Sequence, residues 1–378
     1  MSHRLSWNLV SEMEHLEELG TNLVDSVIQE YGVNVDETRL ANLTKTKLKQ
    51  QTRVFEVQNS SLNAFIIDTP MTRRIACHPH VVGDELGKLT LEAAEQSLPA
   101  ILELSQINAS KKGGIVFEQI LRAAPGYNLH QAASRMIPGN YRTVSIRPRY
   151  THTSYRDHDG MVHRQLDIVY EDFAELPANR EIFLIIQDTV ASSRSAEVSI
   201  KAAINHCEEV GSHIAKWILY GFIALEGLKL LDKIARSHDI PLVAFAMGNL
   251  TALCANNYDM PLYGIDEWLW RRDHSVSKLG ALLDRDTFVE YLREFVPGSD
   301  QPGDWSSRQS RLFNGQGYEE GDIAGHLENS IRLMKSLLEI GELKDWQERI
   351  AQDELLRLEK GLEKVRASPV NNVRAGQI

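Results

Sequence analysis

The residues of this 378-residue chain best suited to chemistry lie between Glu181 and Ile204. An apolar run, Ile182 to Ile186, leads into Gln187, Asp188, Thr189, Val190, Ala191, Ser192, Ser193, Arg194 and Ser195, and Ala196 to Ile204 follows with helical character. An unbroken apolar run of that length fits a fully buried strand, and the small polar residues after it fit a turn. Strand, hydroxyl-rich loop and helix start, in that order, make an anion cradle. N–H groups in the first turn of a helix have no intrahelical partner, so a phosphate placed there gains hydrogen bonds and the favourable end of the helix dipole together.

Other groups of reactive side chains are weaker. His78-Pro79-His80 beside Cys77, and His152, His158 and His163 with Asp157 and Asp159, are residue types that bind transition metals, but neither spacing matches a closed zinc site. Ser192 and Ser193 lack the Gly-x-Ser-x-Gly elbow of a hydrolase nucleophile, and the sequence assigns them no partner histidine.

The elements that must position the cradle alternate. Strand-like runs at Val116–Leu121, Thr143–Ile146, Ile182–Ile186, Trp217–Ile223 and Leu242–Ala246 are separated by helical segments, which predicts a mostly parallel α/β sheet. Trp7, Val10, Met13, Leu16, Leu19, Leu23, Val27 and Tyr31 form an apolar helical stripe that must pack on something. Residues 297–317 are rich in Pro, Gly and Ser and read as a linker, and from Ile323 to about Val365 the pattern is helical again, broken at Gly341. The expected organisation is therefore an N-terminal helical extension over 1–53, an α/β domain over 54–296, the linker, and a C-terminal helical extension over 318–378.

Composition sets limits. The net charge of -11 disfavours a broad nucleic-acid footprint, which needs clustered Lys and Arg. The longest apolar run, Trp217 to Leu225, is far too short to cross a bilayer, and Met1 to Gly20 lacks an apolar signal-peptide core. Cys77, Cys207 and Cys254 are scattered and odd in number, which suggests reduced thiols in a cytoplasmic protein.

Several segments together resemble a known family. Gln187 to Ser195 looks like the phosphoribosyl diphosphate loop of type I phosphoribosyltransferases. Ile120-Leu121-Arg122-Ala123-Ala124, Ser145-Ile146-Arg147, Tyr170 to Leu176-Pro177, and Trp217 to Ala224-Leu225-Glu226-Gly227-Leu228 are similar, in order, to segments of the uracil branch. The resemblance covers roughly residues 70 to 290 and implies that family's fold, a mostly parallel sheet flanked by helices, here with added N- and C-terminal helices. It also implies the reaction: transfer of 5-phosphoribose from phosphoribosyl diphosphate to a heteroaromatic or other small acceptor, with Mg²⁺, in a homodimeric enzyme.

In that reaction diphosphate leaves C1 of the ribose through an oxocarbenium-like state, so positioning and electrostatics dominate. By resemblance, Arg122 and Arg147 clamp the diphosphate, Asp188 holds ribose hydroxyls or a hydrated Mg²⁺, and Thr189 to Ser195 wrap the 5-phosphate. The group 152–163 falls where the resemblance places a polar flap. Gln187 stands where the family carries an acidic residue, and Ser192-Ser193-Arg194 replaces a glycine-rich core. Arg194 adds a contact to phosphate on one reading and fills the pocket of a non-catalytic chain on the other. Tyr263, Gly264 and Asp266 correspond to the acceptor-binding segment but depart from the uracil pattern, which implies an acceptor other than uracil. The alternative function is a non-catalytic module that senses phosphoribosyl diphosphate or a nucleotide; a further one is an assembly protein whose helical ends carry the function.

Overall fold

The computed structural model describes residues 20–49, 51–58, 60–108, 114–150 and 166–367. A mixed sheet runs through the centre of this part. Its strands are β1 (Thr38–Leu40), β2 (Arg53–Val57), β3 (Ala64–Asp68), β4 (Ile115–Ile120), β5 (Tyr141–Tyr150), β6 (Leu166–Asp172), β7 (Glu181–Gln187), β8 (His213–Ala224) and β9 (Leu242–Thr251). They lie in the order β1-β2-β3-β9-β8-β7-β4-β5-β6. From β3 to β5 every neighbour is parallel, and only β1, β2 and β6 at the two edges pair antiparallel. Strands in the middle of such a sheet are covered on both faces and read as unbroken apolar runs. The five runs expected from the sequence are accordingly β4, β5, β7, β8 and β9.

The helices divide between the two faces. Helices α1 (Gly20–Tyr31), α2 (Pro70–Cys77), α3 (Gly83–Leu104) and α4 (Leu129–Met136) are followed by α5 (Arg194–Glu209) and α6 (Leu225–Ser237). Ile75, Leu98 and Leu129 pack with Phe117, Ile185, Tyr220 and Phe245 on one face. Ile200 and Ala203 of α5 and Leu228 and Leu231 of α6 pack with Val116, Leu184, Leu219 and Ala244 on the other. This is what right-handed crossovers require when the chain winds both ways from the centre.

Winding both ways creates a switch point. From β4 the chain passes through a 3₁₀ turn (Ala124–Tyr127) and α4 to β5 on one side, whereas from β7 it passes through α5 to β8 on the other. Strands β4 and β7 are parallel neighbours, with Glu118 opposite Ile186, so their carboxyl ends open a crevice that no crossover covers. Ligands of open α/β sheets bind at such places.

The remaining elements are α7 (Glu267–Asp273), α8 (Arg285–Leu292), α9 (Ile323–Ile340), α10 (Asp345–Ala367) and the small ribbons β10–β11 (Tyr263–Ile265 with Lys278–Gly280) and β12–β13 (Leu312–Phe313 with Tyr318–Glu319). Helices α9 and α10 form a hairpin broken at Gly341, as expected, and pack Leu327, Met334 and Leu337 against Ala351 and Leu358. Of the N-terminal stripe, Val27 and Tyr31 on α1 are buried; residues before 20 lie outside the described part. The stretch 297–317 is not an exposed linker. Ser299, Gln301, Trp305 and Arg308 are buried, and the Arg308 guanidinium donates to the carbonyls of Ile75, His78, Val81, Gln301 and Pro302 at 2.9 to 3.2 Å. Its Pro and Gly residues make turns, but one arginine satisfies the carbonyls those turns turn inward. Among the described residues, no helix is long and apolar enough to cross a membrane.

Candidate functional site

After Gln187 the chain continues alongside β8. Asp188 N–H donates to the Tyr220 carbonyl (3.0 Å), Val190 N–H to Phe222 (2.8 Å), and Ala224 N–H to Val190 (2.8 Å), so the loop extends the β7–β8 ladder before turning into α5. Ser193 makes the turn in the left-handed region at φ 67°. Its Oγ donates to the Gly227 carbonyl (2.8 Å), and α5 starts without a side-chain cap. The first-turn N–H groups are left to whatever anion enters. Two glycines let the loop lie this close. A Cβ on Gly227 would sit 2.2 Å from the Ala191 carbonyl oxygen, and one on Gly221 would sit 2.1 Å from that of Asp188.

Arg122 leaves the end of β4 after a cis Leu121–Arg122 peptide, and Arg147 sits at the bulge of β5. The two meet at one carboxylate. Arg122 is ion-paired with Glu319 on β13, and Arg147 Nη2 lies 4.0 Å from the same carboxylate while its Nη1 donates to the Asn314 carbonyl (3.3 Å). Asn314 Nδ2 donates to Glu319 Oε1 (2.5 Å). Hydrogen bonds from Asn314 and then Arg122 hold the Glu319 carboxyl below its usual range, outweighing burial.

The same C-terminal segment covers the turn after β4. Gln309 Nε2 donates to the Ala123 carbonyl (2.9 Å), and Tyr127 stacks on Trp305 with ring centroids 4.4 Å apart. Tyr127 and Thr189 share a hydrogen bond between their hydroxyls (2.5 Å), which ties the β4 loop to the β7 loop across the crevice.

Gln187 and Asp188 do different work. The Gln187 carboxamide is turned into the protein: Oε1 accepts from the N–H groups of Leu129 (2.7 Å) and His130 (3.3 Å), and Nε2 donates to Gln119 Oε1 and His130 Nδ1 (both 2.8 Å). It caps the start of α4 and leaves no atom for the crevice, while burial lowers the His130 pKa to about 4 and keeps Nδ1 an acceptor. A carboxylate at 187 could not supply the two donated bonds, which accounts for the departure noted in the sequence. Burial pushes Asp188 up to about 7, offset only by a hydrogen bond from Thr189 N–H. A desolvated carboxyl with that single support suits a hydrated divalent cation, which would bring the missing positive charge.

Tyr263, Gly264 and Asp266 hold other structure together. The Tyr263 ring is fully buried among Tyr31, Phe288 and Phe295, so it has no face to offer a stacked acceptor in this conformation. Position 264 requires glycine, since φ is 137° and a Cβ there would meet Gly298 N at 2.0 Å. Asp266 caps α7, accepting from Leu269 N–H (3.1 Å) and from Ala255 N–H (2.7 Å). Trp268 and Trp270 are half-buried on α7. His152, His158, His163, Asp157 and Asp159 lie outside the described residues.

Sequence reasoning missed Glu319, Tyr127 and Trp305. Tyr127 had a readable signal in its position shortly after Arg122, whereas Glu319 and Trp305 sit in a stretch whose composition suggests only turns.

A scan of family models and a search of curated proteins found no match to this chain. Among solved structures it is similar to adenine phosphoribosyltransferase from Leishmania donovani, at 12% identity over 53% of this chain and 89% of that one, with a TM-score of 0.33. The enzyme from Leishmania tarentolae is 11% identical over 53% of this chain and 97% of that one (TM-score 0.32). The one from Trypanosoma brucei, in complex with AMP, pyrophosphate and ribose-5-phosphate, is 12% identical over 52% and 87% (TM-score 0.31). Likeness of this size leaves the site to be read from its own geometry.

Proposed function

We propose that the crevice at the ends of β4 and β7 binds phosphoribosyl diphosphate and that the chain transfers its 5-phosphoribose to a small acceptor. The observation that carries this reading is the meeting of Arg122 and Arg147 on one carboxylate beside an uncapped helix start. Two guanidinium groups that share an anionic partner in the protein can share a diphosphate, and bidentate arginine contacts to phosphate are strong and directional.

Thr189 to Ser195 take the 5-phosphate through backbone N–H groups of the loop and the α5 start, which survive the replacement of glycines by Ser192, Ser193 and Arg194. Arg194, exposed at the first position of α5, adds charge from the rim. Arg122 and Arg147 neutralise the diphosphate as its bond to C1 lengthens, an interaction stronger in the transition state than in the ground state. Asp188 would hold the Mg²⁺ through its hydration shell or take ribose hydroxyls; bound there, the ion supplies further charge neutralisation to the leaving group. The acceptor is a small nucleophile; the expectation that it is not uracil rests on the resemblance alone, since Tyr263 and Asp266 are engaged elsewhere.

A second reading has its own support. Glu319 already occupies the arginine pair, and Gln187 has been given to the scaffold, which suits a module that senses phosphoribosyl diphosphate or a nucleotide without turning it over. Diphosphate release from phosphoribosyl diphosphate and Mg²⁺, measured over pyridine, pyrimidine and purine acceptors including uracil, separates the two. Release with one acceptor class supports transfer. Tight ligand binding with silence across the panel supports the sensor, and efficient turnover of uracil contradicts the reading of the acceptor side.

A further inference from the structure

Far along the chain from the phosphate crevice, another group of side chains is assembled from distant parts of the sequence. His78 and His80 lie on the connection between α2 and α3, and Glu354 projects from α10. His78 Nδ1 is 3.0 Å from Glu354 Oε2, and His80 Nδ1 is 2.6 Å from Glu354 Oε1. One ligand atom from each residue falls within 4.8 Å of the other two. We propose that His78, His80 and Glu354 bind a divalent transition metal of the zinc class, pinning α10 to the core independently of the phosphate site.

The donor chemistry supports this. Two imidazoles and a carboxylate are a recurrent zinc ligand set, with solvent completing a tetrahedral site, and bonds of about 2.0–2.2 Å place ligand atoms about 3.4 Å apart. The nitrogen-to-oxygen separations here need only a small side-chain adjustment to accept the ion. His78 Nε2 faces a further carboxylate, Glu294, at 3.1 Å. In the metal-free chain both ring nitrogens of His78 can donate to the two carboxylates; an ion on Glu354 would replace the Nδ1 proton while Nε2–H stays on Glu294. A carboxylate on the outer nitrogen of a histidine is also the usual way to orient a metal ligand.

The site is rigid and reachable. Arg308 fixes the backbone bearing the histidines by donating to the Ile75, His78 and Val81 carbonyls, and His326 Nε2 lies 2.8 Å from the Pro79 carbonyl. Ligands held on a fixed backbone lose little entropy on binding. His78 and Glu294 also line a cleft of about 830 Å³ that gives an ion its way in. One group competes: Arg357 Nη1 lies 3.4 Å from His78 Nδ1 and 3.5 Å from Glu354 Oε2. Its side chain is half exposed and can swing into solvent when the ion arrives.

The test is titration of the chelator-stripped full chain with Zn²⁺ by calorimetry, with Co²⁺ absorption reporting the coordination. One saturable site is expected. It should weaken at least about tenfold in His80→Ala and in Glu354→Gln, and about tenfold in Glu294→Ala, which removes only the outer partner. Arg357→Ala should bind as well as the parent or more tightly and should keep the fold if a ligand variant does not. Absence of saturable Zn²⁺ uptake by the parent, or uptake unchanged in both His80→Ala and Glu354→Gln, overturns the proposal.

Discussion

Arg122 and Glu319 form an ion pair between the end of β4 and the small C-terminal ribbon, 197 residues apart in sequence. On the proposed function, an incoming diphosphate would compete with this carboxylate for the same guanidinium. Entry of that ligand would then require the β12–β13 ribbon to release Arg122 and Arg147.

Glu319→Gln should accordingly tighten inorganic diphosphate binding. The pair is partly exposed, so solvent screens it and the gain should be modest, at most about fivefold. Calorimetry with diphosphate measures it directly. Weaker binding in the variant would mean that Glu319 organises the arginines instead of competing for them.

Gln187→Glu should destabilise the fold by about 1–3 kcal/mol, because a carboxylate cannot donate to Gln119 Oε1 and His130 Nδ1 and the vacancy is buried. Denaturant midpoints of parent and variant measure this. Unchanged stability would show that the family's acidic residue is admissible here and that the cap on α4 is not what selected glutamine.

The sheet was legible because its central strands are buried on both faces and therefore spell themselves out as apolar runs. The strand, loop and helix start around 187–195 were legible for the same reason, since 182–186 ends abruptly in small polar residues. What escaped has a common cause. Arg308 makes a Pro/Gly-rich stretch buried by satisfying carbonyls from Ile75 to Pro302, and Glu319 completes a pair with a residue nearly the whole domain away. No local pattern encodes such contacts. Tyr263 was misleading in the opposite sense: an aromatic in a loop-like context suggests a stacking surface, yet Tyr31 on α1 and Phe288 on α8 close over it.

Glu118, buried on β4, carries a raised pKa of about 8 because burial outweighs the hydrogen bond from Ser199 Oγ (2.6 Å). Between its ordinary 4.5 and about 8 the folded chain keeps a proton that the unfolded chain releases, so this group makes stability fall as pH rises through that window. Asp188 adds the same sign up to about 7. Glu118→Gln retains an acceptor for Ser199 and should raise the thermal midpoint more at pH 8 than at pH 5. An equal change at both values would place the Glu118 titration elsewhere.

Gly227→Ala should weaken phosphate binding without adding or removing charge. The new Cβ would stand 2.2 Å from the Ala191 carbonyl, and either the loop or α6 must give way. Affinity for a nucleoside 5-monophosphate, compared with circular dichroism of the same sample, separates a displaced loop from a lost fold. Undiminished affinity would mean the loop does not hold the phosphate.

Cradling of the 5-phosphate of phosphoribosyl diphosphate by 189–195 is tested most directly by calorimetric titration of that ligand with Mg²⁺ into the parent and into Ser195→Asp. A carboxylate in the first turn of α5 repels the phosphate and competes for its N–H donors. Saturable binding by the parent and its loss in the variant are the predicted result; equal affinity in the two proteins would contradict the assignment.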